Sequence, residues 1–517
     1  MAITIELTGE HLTPADVWRV AFIPHGQEPI SVRVAAAAWP RIRASRRTVE
    51  TLVQEGRPVY GVNTGFGRLA DIAIPESETV ALQRNLIRSH ACAVGEPLPV
   101  ETVRALMLLR ANALVKGYSG IREETLTLLI DCLNAGVHPR IPSQGSLGAS
   151  GDLAPLAHLA LVLMGEGRAE HHGDWLTGAE ALRRAGLRPL ALQAKEGLAL
   201  INGTQAMTAI GALAWMRAHY LIDLADGIGA MTFEALRGVQ DAFSPELHEL
   251  RPHAGQEQSA ASLRAWLQGS RLITAQGDVR VQDAYSLRCM PQVHGASRQA
   301  ADYVEQVLLV EQNAATDNPL VFSDTGKVIS GGHFHGQPVA LAMDFLKLAV
   351  AEMADISERR TERLVNPNLS GLSAFLARTP GLSSGLMILQ YVAASLVSEN
   401  KVLAHPASVD SIPSSAGQED HVSMGTTAAR QVTAIVQNTA RVLAIEAIAA
   451  AEAIDLQGMA ERMAPRTATL YGMIREYVPA VREDRSLSEE IEALAGAFLE
   501  LRELPEMAEK AKKAAVR

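Results

Sequence analysis

The chain has 517 residues, 48% of them hydrophobic, and carries Lys+Arg 47 against Asp+Glu 57 for a formal charge of −10. That length supports a large core divided among two or three domains, and the negative balance argues against binding to nucleic acid or an anionic membrane. The three cysteines, Cys92, Cys132 and Cys289, are far apart and free of C-x-x-C spacing, which excludes a disulfide framework and a zinc knuckle as readings.

The opening "MAITIELTGEHLTP" has no basic segment followed by an apolar one, and the most apolar later stretches are broken by Arg217, His219, Glu446 or Glu452. A cytoplasmic protein without a membrane span is therefore expected. Residues 1–200 mix short runs with frequent Gly and Pro, including a hairpin turn expected at Gly173-Asp174, and read as a mixed N-terminal domain. Residues 201–517 read as a long-helix bundle domain. Met207 to Ala225 and Val339 to Asn366 are rich in Ala and Leu, and Thr426 to Gln457 lacks Gly and Pro until Gly458. At 1.5 Å per residue the last would be roughly 48 Å long, and helices of that length with Ala-rich faces commonly pack against partner subunits. The expected fold class is mainly α, and a homo-oligomer is expected.

"SLGASGDLAP", residues 146–155, gathers small residues immediately before an apolar run. An ordinary reading makes Ser150 or Asp152 the cap of a helix starting near Leu153. A serine nucleophile elbow needs G-x-S-x-G, which fails at Asp152, and Gly145, Gly148 and Gly151 fit neither a dinucleotide nor a P-loop fingerprint. A third reading is chemical. In a tight turn the Gly151 nitrogen, unobstructed by a Cβ, attacks the Ala149 carbonyl carbon, and loss of water closes a five-membered ring. Loss of a second water from Ser150 leaves a conjugated exocyclic methylene, an electrophile that no unmodified side chain supplies.

Together with "YGVNTGFG" (60–67), "LINGTQ" (200–205), "QDAYSLRC" (282–289), "DNPLVF" (317–322) and "SVDSIPSSAGQEDHVSM" (408–424), the segment "GSLGASGDLAPLAH" resembles the aromatic amino acid ammonia-lyases. The resemblance extends over most of the chain and implies a fumarase/ammonia-lyase-like fold. It also implies a 4-methylideneimidazol-5-one (MIO) group made from Ala149, Ser150 and Gly151, with Asp152 aiding cyclisation. Tyr60 would be the base, on a mobile loop where Gly61, Gly65 and Gly67 permit closure. A free phenol has a pKa of about 10, so nearby positive charge or hydrogen bonds must activate it. Arg288 would hold the substrate carboxylate through its planar fork. Gln282 and Tyr285 would line the pocket or assist the prosthetic group, Asn202 would activate the ring, and Phe334 would pack beside it. A homotetramer with active sites shared between subunits is implied as well.

Ser89-His90 and Gln418-Glu419-Asp420 resemble the histidine-specific branch, which converts L-histidine into trans-urocanate and ammonia. The physical reason is that a carboxylate on Glu419 is satisfied by an imidazole N–H but costly against a phenyl ring, while His90 serves the other ring nitrogen. Met387 would border the same pocket. His294, His333, Gly336 and Gly417 depart from that branch, which keeps a tyrosine ammonia-lyase or tyrosine aminomutase as the alternative and a non-catalytic helical scaffold as a remote one. His333-x-His335 lacks a third ligand at readable spacing, so no metal is expected.

Overall fold

The computed structural model describes residues 3–22 and 30–500, which form two compact units. One comprises the described parts of Met1–Met216, Val304–Asp344 and Pro406–Arg430. It contains every named strand: a parallel pair, Thr4–Leu7 with Ser31–Val34, and antiparallel pieces that include His138–Pro139, Arg168–His171 and Asp174–Thr177 in one sheet. The hairpin turn falls one residue earlier than expected. His172 and Gly173 both have positive φ, at 53° and 89°, the pairing that a two-residue turn requires, so Asp174 opens the second strand.

The core of this unit is the helix Val100–Val115, buried on all sides, with Leu106, Met107, Leu108 and Leu109 at most 1% exposed. A helix sunk this deeply must satisfy its own polar side chains. Arg104 Nε donates to the Val20 carbonyl at 2.8 Å, and Asn112 Nδ2 donates to the Gln312 carbonyl at 2.8 Å. Arg110, fully enclosed, donates to the Asn202 carbonyl at 3.0 Å and to Gln205 Oε1 at 2.6 Å, and so braces the segment 202–205 from behind.

The second unit comprises the described parts of Arg217–Tyr303, Phe345–His405 and Gln431–Arg517, and its named elements are all helical. Three long helices expected from the sequence are present as Gln205–Ala235, Gln337–Val365 and Gly425–Gln457. The first runs well past Ala225. Gly227 and Gly229, which would weaken an exposed helix, here admit close neighbours: a Cβ would lie 2.8 Å from Trp266 Cζ2 at the former and 2.6 Å from Met290 Sδ at the latter. Gly425–Gln457 is long and apolar enough to cross a membrane by composition, but 83% of its most apolar window is buried within the protein. Glu446, inside that helix, pairs with Arg360, and both are fully enclosed.

Candidate active site

The helix Leu153–Leu163 begins where the sequence places it, yet neither Ser150 nor Asp152 caps it with a side chain. The Asp152 carboxylate turns inward. Its Oδ1 accepts from Ser146 Oγ at 2.7 Å and from Thr426 Oγ1, and its Oδ2 accepts from the Met207 N–H at 2.8 Å. Burial pushes the Asp152 carboxyl up, and those hydrogen bonds oppose the shift. Its backbone N–H donates to the Gly203 carbonyl at 2.7 Å.

The preceding residues sit in a slot that tolerates no added atoms. Gly151 has φ +69°, and a Cβ there would run into the Gly203 carbonyl oxygen. Ala149 is 4% exposed, with Val422 and Met424 packed on it. Asn202, the residue that ends the helix Glu196–Ile201, donates from Nδ2 to the Ser150 carbonyl at 2.9 Å, while its buried Oδ1 has no partner. A turn this crowded fits a compact ring made from its own backbone better than it fits a side-chain nucleophile.

The Ser150 hydroxyl faces a cavity of about 530 Å³, a volume suited to one amino acid. Tyr60, His90, Asn202 and Glu419 line it with Ser150, so the fold brings together residues from five separated segments. Glu419 Oε1 accepts from Ser150 Oγ at 3.1 Å, and its Oε2 accepts from Ser414 Oγ at 3.2 Å. His90 ends the helix Thr79–His90 with Nδ1 3.0 Å from Ser89 Oγ. Burial lowers its pKa, which favours a neutral imidazole, and Glu419 pulls weakly the other way.

Of the two influences named for the Tyr60 phenol, positive charge or hydrogen bonds, the structure holds the second. Burial, Glu419 and Asp317 all push its pKa up, and among the described residues the opposing influence is the Gly67 N–H, which donates to Tyr60 Oη at 3.2 Å. That hydrogen bond favours the phenolate, and among the described residues no positive charge acts beside it.

The other candidates lie elsewhere. Phe334 is half-buried beside Gly336, and Gln282, Tyr285, Arg288 and Met387 belong to the helical unit; none lines the cavity. Tyr285 is 70% exposed, and the Arg288 guanidinium lies 4.7 Å above its ring, with Nε buried and unpartnered. Sequence reasoning missed Leu82, Asn85 and Leu86, which line the cavity from the helix that ends in His90. Their signal was available: stepping back from His90 by four gives Leu86 and Leu82, one helical face.

Residues 12–476 match the family model for aromatic amino acid lyases. The chain belongs to the aromatic amino acid lyase family. Within that family, it is 59% identical to the histidine ammonia-lyase of Geobacillus thermodenitrificans, over 95% of this chain and 96% of that protein. It is 60% identical to the histidine ammonia-lyase of Symbiobacterium thermophilum, over 94% and 95%. Among lyase-family structures, histidine ammonia-lyase from Trypanosoma cruzi superposes with a TM-score of 0.88 at 44% identity, covering 96% of this chain and 93% of that one. Tyrosine aminomutase from Streptomyces globisporus superposes with a TM-score of 0.92 at 38% identity, covering 97% of each.

Proposed function

We propose that the protein is a histidine ammonia-lyase, a carbon–nitrogen lyase that eliminates ammonia from L-histidine to give trans-urocanate. The observation that carries this reading is the placement of His90 and Glu419 in the cavity onto which Ser150 opens. Once Ser150 has lost its hydroxyl, Glu419 keeps Oε2 on Ser414 Oγ and has Oε1 free for an imidazole N–H, and a neutral His90 can donate to or accept from the other ring nitrogen. The identity to curated histidine ammonia-lyases supports the same substrate.

The Ala149–Ser150–Gly151 turn fits as the precursor of an MIO group, because its slot excludes a Cβ at Gly151 and supplies Asn202 to the Ser150 carbonyl. When formed, that group supplies an electrophilic methylidene to take up the substrate amine. Tyr60 Oη is the acceptor for the proton from the substrate β-carbon, with the Gly67 N–H stabilising the phenolate. Glu419 and His90 fix the imidazole, and Leu82, Leu86 and Leu198 exclude water around it.

No lysine or arginine among the described residues lines the cavity, although an amino acid carboxylate requires a cationic partner. In this reading Arg288 of a second subunit supplies it, accompanied by Tyr285 and Gln282, with Met387 and Phe334 bordering the completed pocket. A homotetramer with shared sites is the assembly that follows, and the exposure of Phe345, Leu348, Tyr391 and Val402 on long helices supports it. The mixed segment 1–200 carries the reacting turn and the Tyr60 loop in this assignment, residues 201–517 supply the helical domain, and the enzyme works in the cytoplasm.

The test is the product formed from histidine, tyrosine and phenylalanine supplied separately. Urocanate from histidine is expected. Coumarate or β-tyrosine without urocanate would replace this reading with a tyrosine lyase or aminomutase, the alternative that the likeness to tyrosine aminomutase favours.

A further inference from the structure

Ring closure between Gly151 and Ala149 asks a delocalised amide nitrogen to act as a nucleophile, so most of the assistance must come from enforced proximity. The turn that carries these residues is fastened at both ends to one short segment. At its start, Ser423 Oγ donates to the Gly148 carbonyl at 2.9 Å, and the Met424 N–H donates to the Leu147 carbonyl at 2.8 Å. At its end, Thr426 Oγ1 donates to Asp152 Oδ1. Ser423 is fully buried, Thr426 is 4% exposed, and Thr426 lies in the first turn of the helix Gly425–Gln457.

Two hydroxyls three residues apart, Ser423 in the loop just before that helix and Thr426 in its first turn, therefore set the separation of Gly148 and Asp152. The surroundings leave no slack for another arrangement. A Cβ at Gly148 would strike Ser423 Oγ, and one at Gly425 would lie 2.6 Å from Met207 Sδ. Ser146 Oγ adds an internal tie, accepting from the Gly148 N–H at 3.2 Å while donating to Asp152.

We propose that Ser423 and Thr426 form a two-point clamp that holds the Gly148–Asp152 turn compressed for ring closure. The proposal rests on the reading of Ala149–Ser150–Gly151 as an MIO precursor. In the step served, a bond forms from Gly151 N to the Ala149 carbonyl carbon. The carbonyl oxygen leaves as water with the hydrogens of Gly151 N and Ser150 N. The second water takes the Cα hydrogen and the hydroxyl of Ser150, so no oxidant or reductant enters. Ser423 and Thr426 exchange no atoms; they are positioning residues.

The experiment follows intact-protein mass with time after cell-free synthesis of the full chain, for the unsubstituted protein and for Ser423→Ala, Thr426→Val and Thr426→Ser, with thermal unfolding recorded for each. The unsubstituted chain is expected to lose two waters. Ser423→Ala and Thr426→Val should lose them at least about tenfold more slowly, because a small misplacement of reacting groups is costly. Thr426→Ser, which keeps the hydroxyl, should mature at the unsubstituted rate. Should Ser423→Ala fail to fold, the Thr426 pair still decides the matter. Equal rates in Thr426→Val and the unsubstituted chain, or slow maturation of Thr426→Ser, would overturn the clamp. Full sequence mass in an active unsubstituted enzyme would instead overturn the precursor reading on which it rests.

Discussion

Replacing His294 by Met tests whether a buried imidazole in the helical unit is held neutral by its neighbours. His294 is fully enclosed on the helix Met290–Glu311, with Nδ1 2.7 Å from Asp226 Oδ1 and Nε2 3.2 Å from Arg360 Nη1. An arginine has only protons to give, so Nε2 is the bare nitrogen and Nδ1–H donates to Asp226. Asp226 Oδ2 also accepts from Arg298 at 3.0 Å, and Arg360 holds Glu446 through Nε at 2.6 Å and Nη2 at 2.8 Å. The substitution strands one acceptor on Asp226 and one donor on Arg360. At about 1–3 kcal/mol for each unsatisfied group, the loss near pH 8 is about 2–6 kcal/mol before the packing of the thioether is counted. The sign of the pH dependence follows from burial, which holds the His294 pKa below its ordinary value of 6.5. The unfolded chain binds a proton there that the folded chain refuses, so the stability tied to this residue is complete above about pH 6.5 and is lost as pH falls toward the folded pKa. Met has no such proton. The gap between the two proteins should therefore narrow below about pH 6.5, by up to about 1.4 kcal/mol per pH unit. Urea unfolding of both proteins at about pH 8, 6.5 and 5.5 measures the gap. A gap that stays constant with pH, or a variant as stable as the parent near pH 8, would refute the argument.

Lys195→Met strands Asp317, which is 2% exposed and 2.6 Å from the lysine Nζ, so a loss of about 3–5 kcal/mol in urea unfolding is expected, with partial recovery in Lys195→Met/Asp317→Asn. Tyr60→Phe should leave the protein short by two waters while lowering kcat by about 10²–10⁴, and near-normal turnover would identify another base. Since the Tyr60 pKa is raised and a base must be deprotonated, kcat of the parent enzyme should climb with pH on the alkaline side. Glu419→Gln, once its mass shows a mature ring, should lower kcat/KM for histidine by about 1–3 kcal/mol in activation free energy and for tyrosine by less; equal losses would undo the imidazole pocket.

Local pattern reports local structure, and it served well where the physics is local. The long helices and the helix start at Leu153 are consequences of residues close in sequence, whereas the crowding around Gly151 comes from Gly203. The cavity also joins Tyr60, His90, Ser150, Asn202 and Glu419, each of which stands in a quotable motif. Asp152 shows the limit. Ser146 supplies one donor from six residues away, but the others that turn the carboxylate inward, the Met207 N–H and the Thr426 hydroxyl, lie 55 and 274 residues away, so a helix cap could not be told from an inward carboxylate. Gly227 and Gly229 were unreadable for the same reason, since their neighbours Trp266 and Met290 lie in other helices. Composition changes near residue 200, whereas each compact unit draws on three separated stretches, an arrangement that no window of sequence records.

The Gly148–Asp152 turn is enclosed by Gly203, Met207, Gly336, Ser423 and Thr426, the last of which lies 274 residues beyond Asp152. A nascent polypeptide emerging from the ribosome cannot assemble that enclosure until residues 423–426 have left the exit tunnel. Under the proposed ring closure, acquisition of the electrophile becomes a quality-control step, sparing the cell a reactive alkene on chains that are not yet folded.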